Sequence, residues 1–363
     1  VIVFAHLLND RSGSPRVLAS AIRGLCRDKP GWLFVGSGSN GALSDAPVPT
    51  THFWYRRTPY RLLTLLNYFV SQLALCLRLF APRGARTKEI VYVNTALPFG
   101  AALYGRLTGR PVIYHLHEVS ISPVPLRWFL LAMVRLTASH IVYVSRFHRS
   151  QIPIARIQNS VICNAVPSAF LDLASSVAYA HRHEGVFEVL MLASLRDYKG
   201  IPEFLELARR LQHRRDISFR LVANDPEATV AHYFSHHDVP QNVRVHPQTP
   251  TPQEHYERAS LVLNLSRPDQ CQETFGLTIV EAMAFGIPVI VPPVGGPAEI
   301  VTDGREGLLI DCRNTDALVS AVEALADDPD RCIAMSHNAR LKSGMFSEEM
   351  FIRELQSVIA KLQ

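Results

Sequence analysis

Two glutamates, Glu273 and Glu281, stand seven intervening residues apart in the segment ETFGLTIVEAMAFGIPVIVPPVGGPAEIV, residues 273 to 301. The pattern predicts a loop that enters a helix near Leu277 and leaves it at Gly286 and Pro288. Glu273 then lies on the loop and Glu281 about one turn into the helix, so the two address different parts of one ligand. Ionised carboxylates accept well from vicinal hydroxyls, whose protons are costly to leave unsatisfied. Gly276 lets the backbone approach a ligand closely. The N–H groups of Gly276, Leu277 and Thr278 point beyond the helix start, where hydrogen bonding and the helix dipole both favour an anion. Thr274 and Phe275 complete the loop. An ordinary buried helix with two exposed glutamates explains AMAF, but leaves Glu273, Gly276 and the paired glycines 295–296 as coincidences.

Five shorter runs add candidates. ASLRDYKGI, residues 193 to 201, follows an expected strand and opens a helix at Gly200, which places the compact charge of Lys199 at the strand's end, with Ser194 and Arg196 beside it. HLHE, residues 115 to 118, closes another strand and puts His117 and Glu118 at its carboxyl end, with His115 packed behind. RSGSPRVL, residues 11 to 18, is a loop into a helix in which Gly13 permits close backbone approach, Ser14 is polar and Pro15 suits a first turn. Ser145 and Asn164, in YVSR and CNAVP, either line a site or cap a turn.

These residues must be held by a regular scaffold. Strands are expected at Val1–Leu7, Trp32–Val35, Ile90–Val93, Val112–His115, Ile141–Val144 and Ser160–Cys163, and again at Phe187–Leu192, Ser218–Val222, Val243–His246, Leu261–Leu265 and Pro288–Val291, with helices between. That alternation predicts an α/β protein with parallel, doubly wound sheets covered on both faces. At 363 residues two such domains fit better than one. The boundaries expected are 1–167, a polar linker at 168–185, a second domain at 186–346, and a terminal helix at 347–363 whose apolar positions need a surface to cover. In doubly wound folds, ligands bind at the carboxyl edge of the strands, where every candidate above falls.

The order Glu273, seven residues, Glu281, AMAFGIPVI and GGPAEIV resembles the donor-site signature of the retaining glycosyltransferases of family 4. The resemblance covers nearly the whole chain and is strongest from Phe187 to Asp311. It implies the twin-Rossmann GT-B architecture, two Rossmann-like domains facing each other across a cleft, with the terminal helix at 347–363 returning to the first domain. It also implies that Glu281 holds the ribose of a nucleotide-diphosphate sugar, Glu273 the transferred sugar and Lys199 the diphosphate, with no cofactor and no metal. His117 takes a place near the reacting sugar, and Gly13 and Ser14 belong to a loop beside the donor phosphates and the acceptor. The family pattern has Gly-Arg where this chain has Ala193 and Ser194; either Arg196 supplies the missing charge or Ser194 gives a hydroxyl contact. The implied activity is a retaining hexosyltransferase acting on a saccharide or lipid-linked acceptor, as in bacterial cell-surface polysaccharide synthesis. A sugar-nucleotide epimerase of the same build and a non-catalytic sugar-nucleotide-binding protein stay open as alternatives.

Other classes fare worse. Hydrophobic residues make up 48% and charged residues 19%, with a net charge of +5, which is a folded protein without the basic concentration of a nucleic-acid binder. Six scattered cysteines form no CxxC pair, which argues against a disulfide framework or structural zinc and for a reducing compartment. The opening VIVFAHLL lacks a basic region and a cleavage site, so a cytoplasmic location is expected. GSGSNG, residues 36 to 41, fits a dinucleotide fingerprint, but two prolines and no amphipathic helix follow it, so a surface loop is expected. Two carboxylates could serve a glycosidase, yet that chemistry needs neither Lys199 nor an anion-tuned helix start. The apolar stretch Leu62–Leu79 is expected as a buried helix. Arg56, Arg57, Arg61, Arg83 and Arg86 around it leave contact with the inner face of a membrane as the other reading.

Overall fold

In a computed structural model of the chain, which describes residues 1–38, 40–81, 89–270 and 272–363, the fold divides into two compact units, Val1–Ala165 with Glu348–Gln363, and Val166–Ser347. Arg83, Arg86 and Cys271, and Ser39 of the GSGSNG run, lie outside the described residues.

The first unit runs β1 (Ile2–His6), α1 (Gly13–Leu25), β2 (Gly31–Gly36), β3 (Thr50–Phe53), α2 (Arg61–Leu79), β4 (Ile90–Asn94), α3 (Phe99–Leu107), β5 (Val112–Leu116), α4 (Val124–Thr137), β6 (His140–Tyr143), α5 (Arg146–Gln151) and β7 (Gln158–Val161). The second runs α6 (Ser168–Ser176), β8 (Phe187–Ala193), α7 (Ile201–Arg210), β9 (Ile217–Ala223), α8 (Glu227–Phe234), β10 (Val243–His246), α9 (Gln253–Tyr256), β11 (Leu261–Leu263), α10 (Leu277–Ala284), β12 (Val289–Val291), α11 (Pro297–Ile300), β13 (Gly307–Leu309), α12 (Thr315–Asp327) and α13 (Pro329–Ser343). The last helix, α14 (Glu348–Ala360), belongs to the first unit and packs on α1. There Ile352 occupies the space a side chain at Gly24 would need, its Cδ1 2.3 Å from where a Cβ would stand.

Both sheets are parallel throughout, ordered β3-β2-β1-β4-β5-β6-β7 and β10-β9-β8-β11-β12-β13. Each order reverses direction once, between β1 and β4 in the first unit and between β8 and β11 in the second. Helices on either side of such a point diverge, which opens a crevice at the strands' carboxyl ends. The central strands β1, β4 and β5 are buried at every residue, as a sheet covered on both faces requires.

Four expectations change. The short edge strands β3 and β13, TTHF and GLL, carry too little apolar pattern to be seen in the sequence. The strand expected at Ser160–Cys163 lies two residues earlier, in the half-exposed edge sequence QNSV. The stretch 168–185, expected as a linker, is packed on the second unit. Phe170 meets the rings of Tyr256 and Phe285, the Tyr179 hydroxyl donates to the Ser260 carbonyl, and Arg182 reaches the Ala326 carbonyl. The second unit's two ends lie together, with Val166 N–H donating to the Phe346 carbonyl at 3.0 Å.

Helix α2 is the fourth change. It buries Tyr68, Ser71, Gln72, Leu75, Cys76 and Leu79 on one side, yet its opposite side exposes leucines, so it is not the buried helix expected. Its buried side is set by α3, where Gly100 lies against the backbone of Gln72. A Cβ on Gly100 would stand 2.1 Å from the Gln72 carbonyl oxygen, a contact that only moving a helix relieves. Gly100→Ala is therefore expected to lower stability by about 2 kcal/mol or more, read as a reduced urea midpoint with an unchanged slope.

Candidate functional site

The second unit gathers its candidates where the strand order reverses. Lys199 follows β8 and Glu273 follows β11, the two strands that flank the reversal. Lys199 Nζ donates to Glu273 Oε1, and the Ser266 hydroxyl donates to the same oxygen at 3.1 Å. Burial alone would raise the Glu273 pKa. The charge of Lys199 and the hydrogen bonds from Lys199 and Ser266 outweigh it and hold the carboxyl below its ordinary value. Both side chains keep about a fifth of their surface exposed, so the pair can be reached from solution.

Glycines bring these loops together. Gly200 sits in the left-handed region with φ 85°, and a Cβ there would stand 2.1 Å from the Leu265 carbonyl oxygen. Arg267 reinforces the join, its N–H donating to the Tyr198 carbonyl and its Nε to Glu203 at 2.6 Å. Gly295 and Gly296 lie on the 273–275 loop: Gly296 N–H donates to the Glu273 carbonyl at 2.8 Å, and a Cβ on Gly296 would meet the Thr274 carbonyl oxygen at 2.4 Å. The paired glycines thus have a structural reason, close backbone contact that holds the glutamate's loop.

Helix α10 begins after Gly276, whose φ of 112° is open to glycine and strained for other residues. The first amides of a helix have no partner within it, and Gly276, Leu277 and Thr278 are half-buried around that start. Glu281, one turn further, is buried at 1% exposure, and the Tyr256 hydroxyl donates to its Oε2 at 2.9 Å. Tyr256 was not singled out from the sequence. Its position in α9 carries no local signal, and only the packing of α9 on α10, with the Tyr256 ring stacked on Phe285 at 5.7 Å, brings it to Glu281. The Phe275 side chain turns into the core against Phe346, so that residue offers the site only its backbone. Thr274 lies on the loop with Gly296 against it. Half-buried Ser194 directly follows β8, its carbonyl accepting from Arg196 N–H. The exposed Arg196 guanidinium lies 3.8 Å from Asp225 and donates to the Leu195 carbonyl, an orientation in which Asp225 shares its charge.

The first unit has its own polar edge. Asn94, at the end of β4, donates through Nδ2 to the Ser14 carbonyl at 3.1 Å. A carbonyl can only accept, so the Asn94 amide is oriented with Oδ1 toward His117 Nε2, 3.0 Å away. His117 therefore carries its proton on Nε2, and in the neutral ring Nδ1 keeps a lone pair. Burial, then the charges that His115, His148 and His6 would carry, hold the His117 pKa well below its ordinary value. Desolvation likewise lowers His6 to about 4, His115 to about 3 and His148 to about 4. Glu118 is raised by burial. Gly13 and Ser14 are the first two residues of α1, and it is the Ser14 carbonyl that takes part in this network. Ser145 caps α5, accepting from His148 N–H, and Asn164 is buried.

Known proteins resemble this chain in both sequence and fold. Residues 180–342 match the family described as Glycosyl transferases group 1. Over 86 residues the chain is 38% identical to a D-inositol 3-phosphate glycosyltransferase of Corynebacterium kroppenstedtii, a stretch that covers 24% of this chain and only 19% of that relative. It is 22% identical over 293 residues to alpha-D-kanosaminyltransferase of Streptomyces kanamyceticus, covering 70% of this chain and 72% of that protein. HepE of Anabaena, solved in complex with UDP and glucose, superposes with a TM-score of 0.76 at 19% identity over 99% of each chain. The α/β class and the GT-B fold expected from the sequence are the ones found.

The buried histidines make a pH prediction. Their folded pKa values lie below the unfolded value near 6.5, so below that pH the unfolded chain binds more protons than the native one. Stability is then present above pH 6.5 and is lost as pH falls toward 4, by about 1.4 kcal/mol per pH unit for each group. Glu118, raised by burial, opposes this as a single group. Thermal unfolding of the whole chain is expected to show a steadily falling midpoint from pH 7 to 5. A flat profile over that range would contradict neutral burial of His6, His115 and His148.

Proposed function

We propose that this chain, whose residues 180–342 match the group 1 glycosyl transferases, belongs with them and moves a sugar from a nucleotide-diphosphate sugar to an acceptor. The observation that carries the reading is the Lys199–Glu273 pair between β8 and β11, beside the α10 helix start with Glu281 one turn inside. A cation and unpaired amides suit a diphosphate. A carboxylate on each side of them suits the hydroxyls of a sugar and a ribose.

In this reading the diphosphate takes the Gly276, Leu277 and Thr278 amides and the Lys199 ammonium, which stabilise the negative charge that grows on the leaving group. Glu273 accepts from hydroxyls of the transferred sugar. Glu281, held in one orientation by Tyr256, accepts from the ribose. Arg196 and Ser194 stand nearby as the further polar groups of the β8 loop. The first unit offers His117, neutral and with a free lone pair on Nδ1, and the Gly13–Ser14 helix start as its candidates for the acceptor.

Several finer points belong to the same proposal. The resemblance to the retaining family 4 implies that the anomeric configuration is kept and that the sugar is a hexose. The acceptor is a saccharide or lipid-linked saccharide, which fits cell-surface polysaccharide synthesis at the cytoplasmic side. HepE was solved with UDP and glucose, which supports a uridine nucleotide as the first donor to try. Neutralisation by Lys199 and the helix start makes a metal unnecessary.

Thermal-shift measurements with UDP-, GDP-, ADP- and dTDP-sugars are expected to single out one nucleotide, because a ligand that binds only the native state raises its unfolding midpoint. With that donor, Lys199→Ala is expected to lower kcat/KM by about a hundredfold or more, and EDTA to leave turnover unchanged. Glu281→Gln keeps an oxygen for Tyr256, so its expected loss of donor affinity occurs without a loss of stability. Undiminished activity in both variants, or a strict Mg²⁺ requirement, would overturn the assignment. Interconversion of the donor without any acceptor, seen by NMR, would instead identify an epimerase.

A further inference from the structure

Helix α2 is apolar on two opposite sides, and the fold uses only one of them. Leu62, Leu66, Val70, Leu73, Leu77 and, directly after the helix, Phe80 are each between 43% and 83% exposed. At 100° per residue they fall within an arc of about 80°, a stripe roughly 27 Å long. The buried residues Tyr68, Gln72, Leu75 and Leu79 occupy the other side. A monomer seldom leaves so long an apolar row in water without a use for it.

The charges that flank the stripe along the chain have one sign. Between Asp45 and Glu89 the sequence has no acidic residue and seven basic ones, Arg56, Arg57, Arg61, Arg78, Arg83, Arg86 and Lys88. Of these, Arg56, Arg57, Arg61 and Arg78 are described and all are exposed. The segment bearing Arg56 and Arg57 is fastened beside α2. Asn67, next to the stripe on the helix surface, donates to the Arg56 carbonyl at 3.1 Å, and Thr58 and Thr64 exchange hydrogen bonds. Trp54 and Tyr60, in the same segment, are 49% and 73% exposed, and rings with a polar edge favour the boundary between hydrocarbon and water.

We propose that α2 and the Trp54–Arg61 segment form a docking surface for an anionic lipid bilayer, with the helix lying in the plane of the headgroups and its stripe in the acyl boundary. Charge complementarity selects this occupant. A second copy seated symmetrically on the same patch would set arginines against arginines. The helix is long and apolar enough to cross a membrane, 19 residues with a mean hydropathy of 1.5 over its most apolar window. Crossing would strip its other side from α3, where Gly100 is fitted to Gln72. Docking in the plane keeps that packing.

Cosedimentation of the full chain with lipid vesicles tests this. Binding is expected to phosphatidylglycerol-rich vesicles, to weaken with added salt, and to be absent with pure phosphatidylcholine. Arg56→Glu with Arg57→Glu is expected to weaken binding on the order of tenfold or more. Leu66→Glu with Leu73→Glu is expected to abolish it with little change in the unfolding midpoint, since both leucines are exposed. Trp54 emission should shift to the blue on binding. No binding of the wild type to anionic vesicles would overturn the proposal, as would equal binding to neutral ones. So would a wild-type dimer, seen by light scattering, that the leucine variant breaks into monomers.

Discussion

The carboxyl edge of the second sheet depends on backbone meeting backbone with no side chain between. Gly200 rests on the Leu265 carbonyl, and Gly295 and Gly296 rest on Glu273, Thr274 and Phe275. Any Cβ at Gly200 or Gly296 would overlap a backbone oxygen that cannot swing aside. These contacts fix the spacing between the loops after β8, β11 and β12. Lys199 can meet Glu273 only because the loops that carry them are joined at that distance.

Electrostatics then separates the two units. In the second, a half-buried cation and carboxylate compensate each other, and the Glu273 carboxyl is held ionised by its neighbours against the cost of burial. Helix α10 adds amides without a net charge. In the first, the histidines of the polar edge are neutral: several imidazoles are packed together with their protonation suppressed by burial and by one another. His115 Nε2 and His148 Nδ1 are buried without a hydrogen-bond partner among the described residues, which a neutral ring tolerates far better than a charged one. One edge is thus suited to an anion, and the histidines of the other to hydrogen bonding without charge.

The same economy of contact explains α2. A helix between two strands of a doubly wound sheet needs only one apolar side to cover the sheet and its neighbour. Tyr68, Leu75, Leu79 and the crossing at Gly100 meet that need. The second apolar stripe adds nothing to the fold, and its arginine-rich surroundings give it a chemistry of its own.

Much of this molecule was legible in the sequence, because its signals are local. Parallel strands buried on both faces are continuous apolar runs, so β1, β4, β5 and β8 can be read directly, and a glycine before an apolar helix marks the α10 start near Glu273 and Glu281. Edge strands such as β3, β7 and β13 are short and half-polar, and their pattern is too weak to place them. The stretch 168–185 is polar enough to read as a linker, and only its partners Tyr256, Ser260 and Ala326 show that it is folded. The apolarity of α2 was plain, but the sequence could not say which of its sides the core would take. Tyr256 beneath Glu281, Asn94 fixing the His117 proton and Asp225 beside Arg196 are pairings across 25, 23 and 29 positions of chain. The sequence by itself determined the sheets and the residue types at their carboxyl edges, because strand pattern and helix starts are written in neighbouring residues. The tertiary structure alone decided which side chains meet there, since partners distant in the chain are chosen by packing.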